Sequence, residues 1–314
     1  MSSTVAETIA KLHEALRSYI EATYHISHPR LVQLRRDLLD LKATISQEPF
    51  FESTPRYVKA ARYRDIAGLD REIVELLESV SADGAKPKLV YDPPYSHQAQ
   101  ALKSALALGR SMVVMTGTGS GKTESFLLPI LGKLAREAAR PGSAFGGTPT
   151  VRALVLYPMN ALVNDQLARI RTLFGDARIA GFFKANAGRP ARFARYTSRT
   201  LYPGVRTDKK DQTRLKPIGD YYVSKLSDPT AKDLVAALKE KGKWPAKPDL
   251  ERWYGRHGTR WRNATGAFQR AVMLADDPEL FTRHEVHAAP PDVLVTNYSM
   301  LGVHADAPVG APGV

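Results

Sequence analysis

Apolar residues in the first 85 positions recur at helical spacing. The first stripe follows the capping-box pattern Thr4-Val5-Ala6-Glu7 and consists of Val5, Ile9, Leu12, Leu16 and Ile20. A second helix is predicted to start near Ser27, with Pro29 in its first turn. Its inward side is predicted to carry Leu31, Leu34, Leu38 and Leu41. A third helix is predicted over 70–81, with an inward side formed by Ile73, Leu76, Leu77 and Val80. Residues 1–87 are therefore predicted to form a helical accessory region.

From about residue 88 the pattern changes to alternating helices and strands. It predicts helices over 96–108, 122–139 and 160–174, and strands over 111–116, 151–157, 178–184 and 292–296. This alternation is typical of an α/β fold with a parallel sheet. Ligands of such sheets bind beyond the carboxyl ends of the strands, so we expect functional residues at those ends.

Composition narrows the chemistry that the chain can carry. The 314 residues are 43% hydrophobic and 25% charged, which is ordinary for a globular protein. They contain no cysteine, which excludes disulfides, thiolate metal sites and a cysteine nucleophile. The eight histidines are scattered without metal-ligand spacing. No apolar run reaches the ~18–20 residues of a membrane span, and no signal peptide is recognisable, so a cytoplasmic location is expected.

The net charge of +13 is unevenly distributed. Residues 184–270 carry 21 Lys/Arg and 8 Asp/Glu, a balance of +13, whereas 1–183 carry +5 and 271–314 carry −5. A basic block of this size suits contact with phosphate backbones. A solvated, charge-rich insertion without a partner stays open as the alternative.

The glycine-rich run from Thr116 to Thr123, Thr-Gly-Thr-Gly-Ser-Gly-Lys-Thr, lies between a predicted strand and a predicted helix. That context is the one in which a P-loop binds nucleotide phosphates. The backbone of Thr118, Gly119, Ser120 and Gly121 would surround the phosphates. Lys122 would reach the β- and γ-phosphates, and the Thr123 hydroxyl would bind Mg²⁺. Thr116 stands where the strict pattern has glycine, and a plain Gly/Ser turn is the alternative.

Four segments occur in this order along the chain: 95–98, 118–123, 157–166 and 295–301. Together they resemble the first motor domain of the DEAD/DEAH-box helicases of superfamily 2. Tyr95-Ser96-His97-Gln98 resembles the glutamine motif, in which Gln98 would read the adenine edge, and 118–123 resembles motif I. The segments 157–166 and 295–301 resemble motifs Ia and Ib, which contact a nucleic-acid backbone. The resemblance implies strand-binding roles for Pro158, Asn160, Ala161, Gln166, Thr296 and Asn297.

The resemblance also implies a RecA-like ATP-binding domain, with its first part in 88–184 and its final strand and a flexible tail in 291–314. ATP and Mg²⁺ are the implied cofactors, and nucleic acid is the implied partner. The sequences of segments 47–57 and 157–166 are similar to those of large bacterial helicases of DNA repair and phage defence. DNA is therefore favoured over RNA, and the rest of the motor or repair and defence proteins are further expected partners.

Two parts of a complete motor are not found in the sequence. The family places a D-E-x-H or D-E-x-D segment beyond motif Ib, and a second motor domain supplies arginine fingers. Neither occurs before Val314, and Asp276-Asp277 precedes motif Ib. We therefore expect the N-terminal part of an ATP-dependent helicase that hydrolyses ATP negligibly by itself. A non-motor nucleic-acid-binding module with a vestigial P-loop, or another P-loop class, is the alternative.

The stretch 185–290 is longer than the family usually places between motifs Ia and Ib, and it is predicted to be a basic inserted module. Arg192, Arg195 and Arg199 alternate with aromatic residues, and further aromatics follow at Trp244, Trp253, Tyr254 and Trp261. Arginines suit phosphates, and aromatic rings can stack on unpaired bases. We favour nucleic-acid contact, while the aromatics could equally form the core of the module.

Overall fold

The computed structural model describes residues 4–47, 56–82, 88–201, 207, 209, 213–214, 216–255, 264–265 and 272–300. The chain divides into two compact units, Met1–Arg56 and Tyr57–Val314. Trp261 and the predicted tail beyond Met300 lie outside the described residues.

The first unit contains two helices, α1 (Val5–Thr23) and α2 (Pro29–Leu39). The predicted capping box is present, because the Thr4 side chain accepts from Glu7 N and the Glu7 side chain accepts from Thr4 N. The predicted burial of the α2 leucines is wrong: Leu31, Leu34 and Leu38 are all more than half exposed, as is Leu41 just beyond the helix. Within this unit each helix has only the other as a neighbour, which can bury just one side of it.

The described part of the second unit begins with five α-helices, of which the longest is Lys122–Ala139. In chain order they are α3 (Arg71–Ser81), α4 (Ser96–Leu102), which continues into a π-helical turn (Lys103–Ala107), α5 (Lys122–Ala139), α6 (Asn160–Phe174) and α7 (Ala177–Ala187). Further helices follow: α8 (Lys216–Ser227), α9 (Lys232–Glu240), α10 (Leu250–Tyr254) and α11 (Arg283–Ala288). The inward residues predicted for α3 are buried. The main core gathers α3, α5, α6 and α7 against one face of the sheet.

The sheet has four parallel strands in the order β1-β4-β2-β3, where β1 is Ala153–Tyr157, β2 is Phe193–Tyr196, β3 is Glu279–Leu280 and β4 is Val293–Asn297. Along β1 and β4, Ala153 is opposite Val293 and Tyr157 is opposite Asn297. The predicted α/β class with a parallel sheet is confirmed, and the arrangement agrees with a RecA-like domain. The stretch predicted as an insertion supplies two of the four strands, β2 and β3.

The strand predicted at 111–116 is not formed. The backbone there has no ladder partner among the described residues, and Val113 and Met115 are each 87% exposed. An apolar run becomes a strand only where another strand accepts its N–H and C=O groups. The segment therefore leads into the glycine loop without belonging to the sheet.

The strand predicted at 178–184 is the helix α7. Asp176 caps its first turn by accepting from Arg178 N at 2.9 Å, and Gly188 ends it in a left-handed conformation with φ +73°. Ile179 and Phe183, four residues apart, are fully buried. A short apolar run fits either element, and here the two caps and the four-residue spacing select the helix.

The amino end of the sheet is held by one buried carboxylate. Asp292, just before β4, accepts from Arg152 Nη1 at 2.8 Å, from Arg189 Nη1 at 2.6 Å and from Arg192 N at 2.7 Å. Both guanidinium groups also lie over the ring of Phe145, 4.5 and 4.7 Å from its centroid. Asp292 thereby joins β1, β2 and β4 where they begin.

Candidate nucleotide and nucleic-acid site

The glycine loop turns sharply into the N-terminus of α5. Gly119 and Gly121 both have φ +77°, in the left-handed region that favours glycine. The hydroxyls of Thr116 and Ser120 lie 2.6 Å apart, and Lys122 Nζ donates to Thr116 O at 2.8 Å. Successive N–H groups on such a loop, at the positive end of a helix dipole, suit an anionic ligand.

The long helix α5 connects this loop to the sheet. Glu137, in the last turn of α5, accepts from Arg152 Nε at 2.7 Å, and Arg152 precedes β1. The C-terminus of α5 is therefore at the amino end of the sheet. Its 18 residues span about 27 Å, and in its first turn Glu124 pairs with Arg169 of α6.

Residues of the predicted glutamine motif contact the loop directly. Gln98 is only 7% exposed; its Oε1 accepts from Tyr95 N at 3.0 Å and its Nε2 donates to Gly121 O at 3.1 Å. His97 Nε2 is 2.9 Å from Ser120 O. A side chain at Gly121 would come within 2.4 Å of Gln98 Nε2, which explains glycine there. The amide of Gln98 thus bonds the P-loop backbone in this structure.

Sequence reasoning missed the roles of His97 and Tyr57. Tyr57, Tyr95 and His97 form a cluster with ring centroids 5.6–5.9 Å apart. A Cβ at Gly117 would lie 2.7 Å from the Tyr57 hydroxyl oxygen. The adjacency of His97 to Gln98 was the available signal for His97. Tyr57 is about 60 residues from the loop along the chain, and no spacing rule would have found it.

A second group of polar side chains gathers where β1, β2 and β4 end. Asn297 Nδ2 donates to Asn160 Oδ1 at 2.8 Å, and Asn297 Oδ1 accepts from Met300 N at 3.0 Å. Arg195 Nη1 donates to Asn164 Oδ1 at 2.6 Å. Asn160 begins α6, so this cluster lies beside a helix N-terminus. Such donors can contact a phosphate backbone.

The remaining predicted strand-binding residues fall into different environments. Pro158, Ala161 and Arg199 are exposed, and Gln166 is half-buried on α6. Thr296 is 1% exposed and donates to Tyr196 O at 2.5 Å, so its hydroxyl faces the interior. Arg192 lies at the amino end of β2, and its buried Nε has no hydrogen-bond partner among the described residues. The three arginines predicted to act together therefore do not form one surface.

The aromatic residues of the basic stretch form a core. Trp244, Trp253 and Tyr254 are 4%, 1% and 2% exposed and pack with Val235, Leu250 and Val272. Phe193 and Tyr196 are buried in the sheet. The favoured interpretation, in which these rings stack on bases, is therefore wrong for these five residues. An apolar ring needs burial unless a ligand covers it, and here the chain itself provides that burial.

Beneath this core lies a buried ionic cluster that the sequence did not indicate. Lys247 Nζ donates to Asp277 Oδ2 at 2.7 Å and to Glu285 Oε1 at 3.0 Å, and all three side chains are at most 1% exposed. Trp253 Nε1 also donates to Glu285 Oε1 at 3.0 Å. Burial lowers the pKa of Lys247, but the two carboxylates outweigh burial and raise it. The cluster holds the amino end of β3 and α11 together.

The same region is fixed to α6. Arg171 binds Glu279, at the start of β3, with an Nη2–Oε1 distance of 2.6 Å. At Gly242, with φ +61°, a Cβ would lie 2.0 Å from Ala168 O, so only glycine allows this approach. On the other side of α6, Arg169 forms an ion pair with Glu124 in the first turn of α5. Helix α6 therefore contacts both the P-loop helix and the basic stretch.

Residues 95–197 match the family model described as DEAD/DEAH box helicase. The resemblance inferred from the motifs is confirmed. The match covers the glutamine motif, the P-loop, α6 with its preceding strand, and β2. No group of three or more His, Asp or Glu residues suited to a metal ion occurs in the part of the chain that the structure describes. None of the described helices is long and apolar enough to cross a membrane.

Two curated proteins are similar in sequence. The chain is 43% identical to the Druantia protein DruE of Escherichia coli, over 95% of this chain and 17% of DruE. It is 40% identical to the ATP-dependent RNA helicase DBP7 of Meyerozyma guilliermondii, over 27% of this chain and 11% of that protein. The chain thus spans less than a fifth of the length of either relative. No solved structure matches it.

Proposed function

We propose that this chain is the ATP- and strand-binding front part of a nucleic-acid helicase or translocase. The observation that carries the proposal is the conformation of the P-loop. Gly119 and Gly121 turn it into the N-terminus of α5, and the side chains of His97 and Gln98 contact its backbone at Ser120 O and Gly121 O. The match to the DEAD/DEAH box helicases supports the same assignment.

In this proposal the backbone N–H groups of the loop bind the nucleotide phosphates. Lys122 leaves Thr116 O and turns to the β- and γ-phosphates, and Thr123 holds Mg²⁺. Gln98 presents its remaining N–H and lone pair to the adenine edge, because its amide has two donors and two acceptor lone pairs and the bonds with Tyr95 N and Gly121 O use one of each. Nucleotide binding would then be sensed by the loop backbone through His97 and Gln98.

The nucleic-acid strand would cross the carboxyl ends of β1 and β4. Asn160 and Asn297 supply amide donors there, and Arg195 and Arg199 supply positive charge close by. Contacts of this kind bind phosphates and carry little sequence information. Arg192 and Thr296 drop out of the proposed surface because of their positions. DNA is favoured over RNA from the sequence resemblance, whereas the name of one relative specifies RNA.

Nucleotide titration tests this proposal. We expect a fluorescent ATP analogue with Mg²⁺ to bind the chain, and Lys122→Ala to weaken binding at least about tenfold, because one charge-assisted contact is worth about 1.5–3 kcal/mol. Lys133→Ala, at an exposed position of the same helix, is the matched control and should bind as the wild type does. Equal binding by Lys122→Ala and wild type would refute the site.

A second readout separates the motor part from a non-motor binding module. We expect affinity for single-stranded DNA to change when ATP and Mg²⁺ are added, and ATP turnover by this chain alone to be negligible. DNA binding that ignores ATP would favour the non-motor module. Measurable turnover that Lys122→Ala abolishes would contradict the expected inactivity. Tighter binding to single-stranded RNA than to DNA of the same sequence would reverse the preference for DNA.

A further inference from the structure

Helix α5 carries a carboxylate beside the P-loop to which the proposed nucleotide binding gives no role. Glu124 is the third residue of α5, and Gly121 immediately precedes the helix. A Cβ at Gly121 would lie 3.0 Å from Glu124 Oε2, so this oxygen lies against the loop. The Glu124 side chain is only 16% exposed, and little water is left to screen its charge. A negative charge therefore lies next to a loop that suits anionic phosphates.

This carboxylate opposes the binding of phosphate. The positive end of a helix dipole attracts anions, and a carboxylate in the first turn already satisfies that field. Two negative charges close together near a protein surface also repel each other. Lys122 is the cation of the loop, and it lies in the same helical turn as Glu124. Without compensation, Glu124 would offset part of the attraction between Lys122 and the phosphates.

The compensating charge comes from a different helix. Arg169, on α6, forms an ion pair with Glu124, and the Arg169 side chain is 52% exposed. Ion pairs with an exposed partner contribute little to stability. The main consequence of this pair is therefore the charge beside the loop: it is close to neutral with Arg169 in place and fully negative without it.

Packing leaves room between α5 and α6 at this point. A cavity of about 390 Å³ lies between the helices and is lined by both members of the ion pair. Its further lining residues include Leu127 and Leu128 of α5 and Ala168 and Thr172 of α6. Close-packed interiors allow little displacement, whereas a cavity lets α6 move relative to α5. The ion pair thus bridges a gap, and the position of α6 determines how well Arg169 reaches Glu124.

Helix α6 also carries residues of the proposed strand-binding surface. Asn160 is its first residue and accepts from Asn297 Nδ2 at 2.8 Å. Asn164, one turn further along, accepts from Arg195 Nη1 at 2.6 Å. Rigid secondary elements can carry coupling between sites. A strand that displaces the N-terminus of α6 therefore also displaces Arg169, which lies on the same helix.

We propose that Arg169 is a positioning residue of the nucleotide site. It offsets the charge of Glu124, so the position of α6 sets the affinity of the loop for phosphates. This role depends on the proposed binding of a nucleotide at the P-loop. Nucleic acid bound at Asn160 then changes the nucleotide affinity through the ion pair, and by linkage the nucleotide changes the strand affinity by the same factor.

Titration of charge variants of the whole chain with a fluorescent ATP analogue and Mg²⁺ tests this role. Arg169→Ala should weaken binding about two- to tenfold, because Glu124 is left uncompensated. Glu124→Gln should tighten binding, because Arg169 is left unpaired beside the loop. Arg169→Lys keeps the charge and should bind as the wild type does. Lys184→Ala removes the same charge from an ion pair on α7 and is the matched control, with unchanged binding.

The opposite signs separate this role from a structural one. A pair that only stabilised the fold would lower the nucleotide affinity in both variants or in neither. Salt screens exposed charges, so both effects should shrink when NaCl is raised from about 0.05 M to about 0.5 M. Both should also be smaller for an ADP analogue, which carries less negative charge. Changes of the same sign in Arg169→Ala and Glu124→Gln would overturn the role of Arg169.

Addition of single-stranded DNA tests the link through α6. The nucleotide affinity of the wild type should change, and that of Glu124→Gln/Arg169→Ala should change less. No change in the wild type, or an equal change in both proteins, would overturn the link.

Lys122→Ala distinguishes the two possible failures. If it binds the analogue as tightly as the wild type, the P-loop site and the role of Arg169 both fail. If it loses binding while the Arg169 and Glu124 variants match the wild type, only the role of Arg169 fails.

Discussion

The two ends of the sheet differ in how their polar groups are used. At the amino end, Asp292 is 1% exposed at its side chain and is fully engaged by Arg152, Arg189 and the backbone. At the carboxyl end, Asn160 and Asn297 bond each other while Pro158, Ala161 and Arg199 beside them face solvent. The same strands thus end in a buried, saturated ionic group on one side and in an uncharged amide pair on the other, in which Asn297 is only 6% exposed and Asn160 is half-buried.

This difference indicates which polar residues stabilise and which remain available. A buried ion pair that loses one member leaves an uncompensated charge, and the penalty is large. An uncharged amide pair that loses one member costs less, because the half-buried Asn160 can turn to water or to a ligand. Variants at the amino end should therefore change stability, and variants at the carboxyl end should change binding.

The largest expected effect is at Asp292. Asp292→Ala should lower the free energy of unfolding by about 3–5 kcal/mol, because Arg189 would remain buried without its carboxylate. Urea unfolding followed by tryptophan fluorescence measures this, since Trp244 and Trp253 are buried in the same unit. Asp276→Ala is the control: its ion pair with Lys184 is 64% exposed at the carboxylate and should matter little. Similar losses in both variants would contradict the comparison.

Local patterns predicted much of the fold. The helix over 160–174 and the strand near 292–296 follow from the pattern of their apolar residues, and the structure has them within one residue. The pattern failed where local signals were ambiguous or where the neighbour decides. Ile179 and Phe183 fit a strand or a helix, and the cap at Asp176 settles it. Whether Leu34 is inside depends on what covers it, which no periodicity contains.

The candidate site shows the same division. The P-loop is readable because its chemistry lies within eight consecutive residues. Asp292 and Arg189 are about 100 residues apart, and Tyr57 reaches Gly117 only through the fold, so sequence reasoning had no signal for either contact. Arg192 and Arg199 were grouped by proximity in sequence, but the strand between them carries them to opposite ends of the sheet.

A smaller effect on stability, with a clear effect on binding, is expected at Asn297. Asn297→Ala removes the bonds to Asn160 Oδ1 and Met300 N and should cost about 1–2 kcal/mol of stability. If the carboxyl end binds the strand, affinity for single-stranded DNA should fall about tenfold in a fluorescence anisotropy titration. Asn186→Ala, an exposed asparagine on α7, should change neither quantity appreciably. Unchanged DNA affinity of Asn297→Ala would remove this residue from the proposed surface.

The smallest effect is expected at Asp176, a less buried carboxylate near the end of α6 where Arg171 meets β3. Burial raises the pKa of Asp176, but hydrogen bonds from the Arg178 side chain and backbone outweigh it and lower the pKa. A lowered pKa in the folded state stabilises above the ordinary value, and this contribution is lost as the pH falls through the lowered one. Asp176→Ala should therefore lower the free energy of unfolding by about 1 kcal/mol near neutral pH, and the difference from wild type should shrink below about pH 4.

Asp176→Asn keeps the helix cap without the charge, and its free energy of unfolding in urea should lie between those of wild type and Asp176→Ala at each pH. A difference that stays constant down to pH 3 would show that the cap geometry, rather than the charge, carries the effect, and that only the fully buried Asp292 gives the amino end its electrostatic stability.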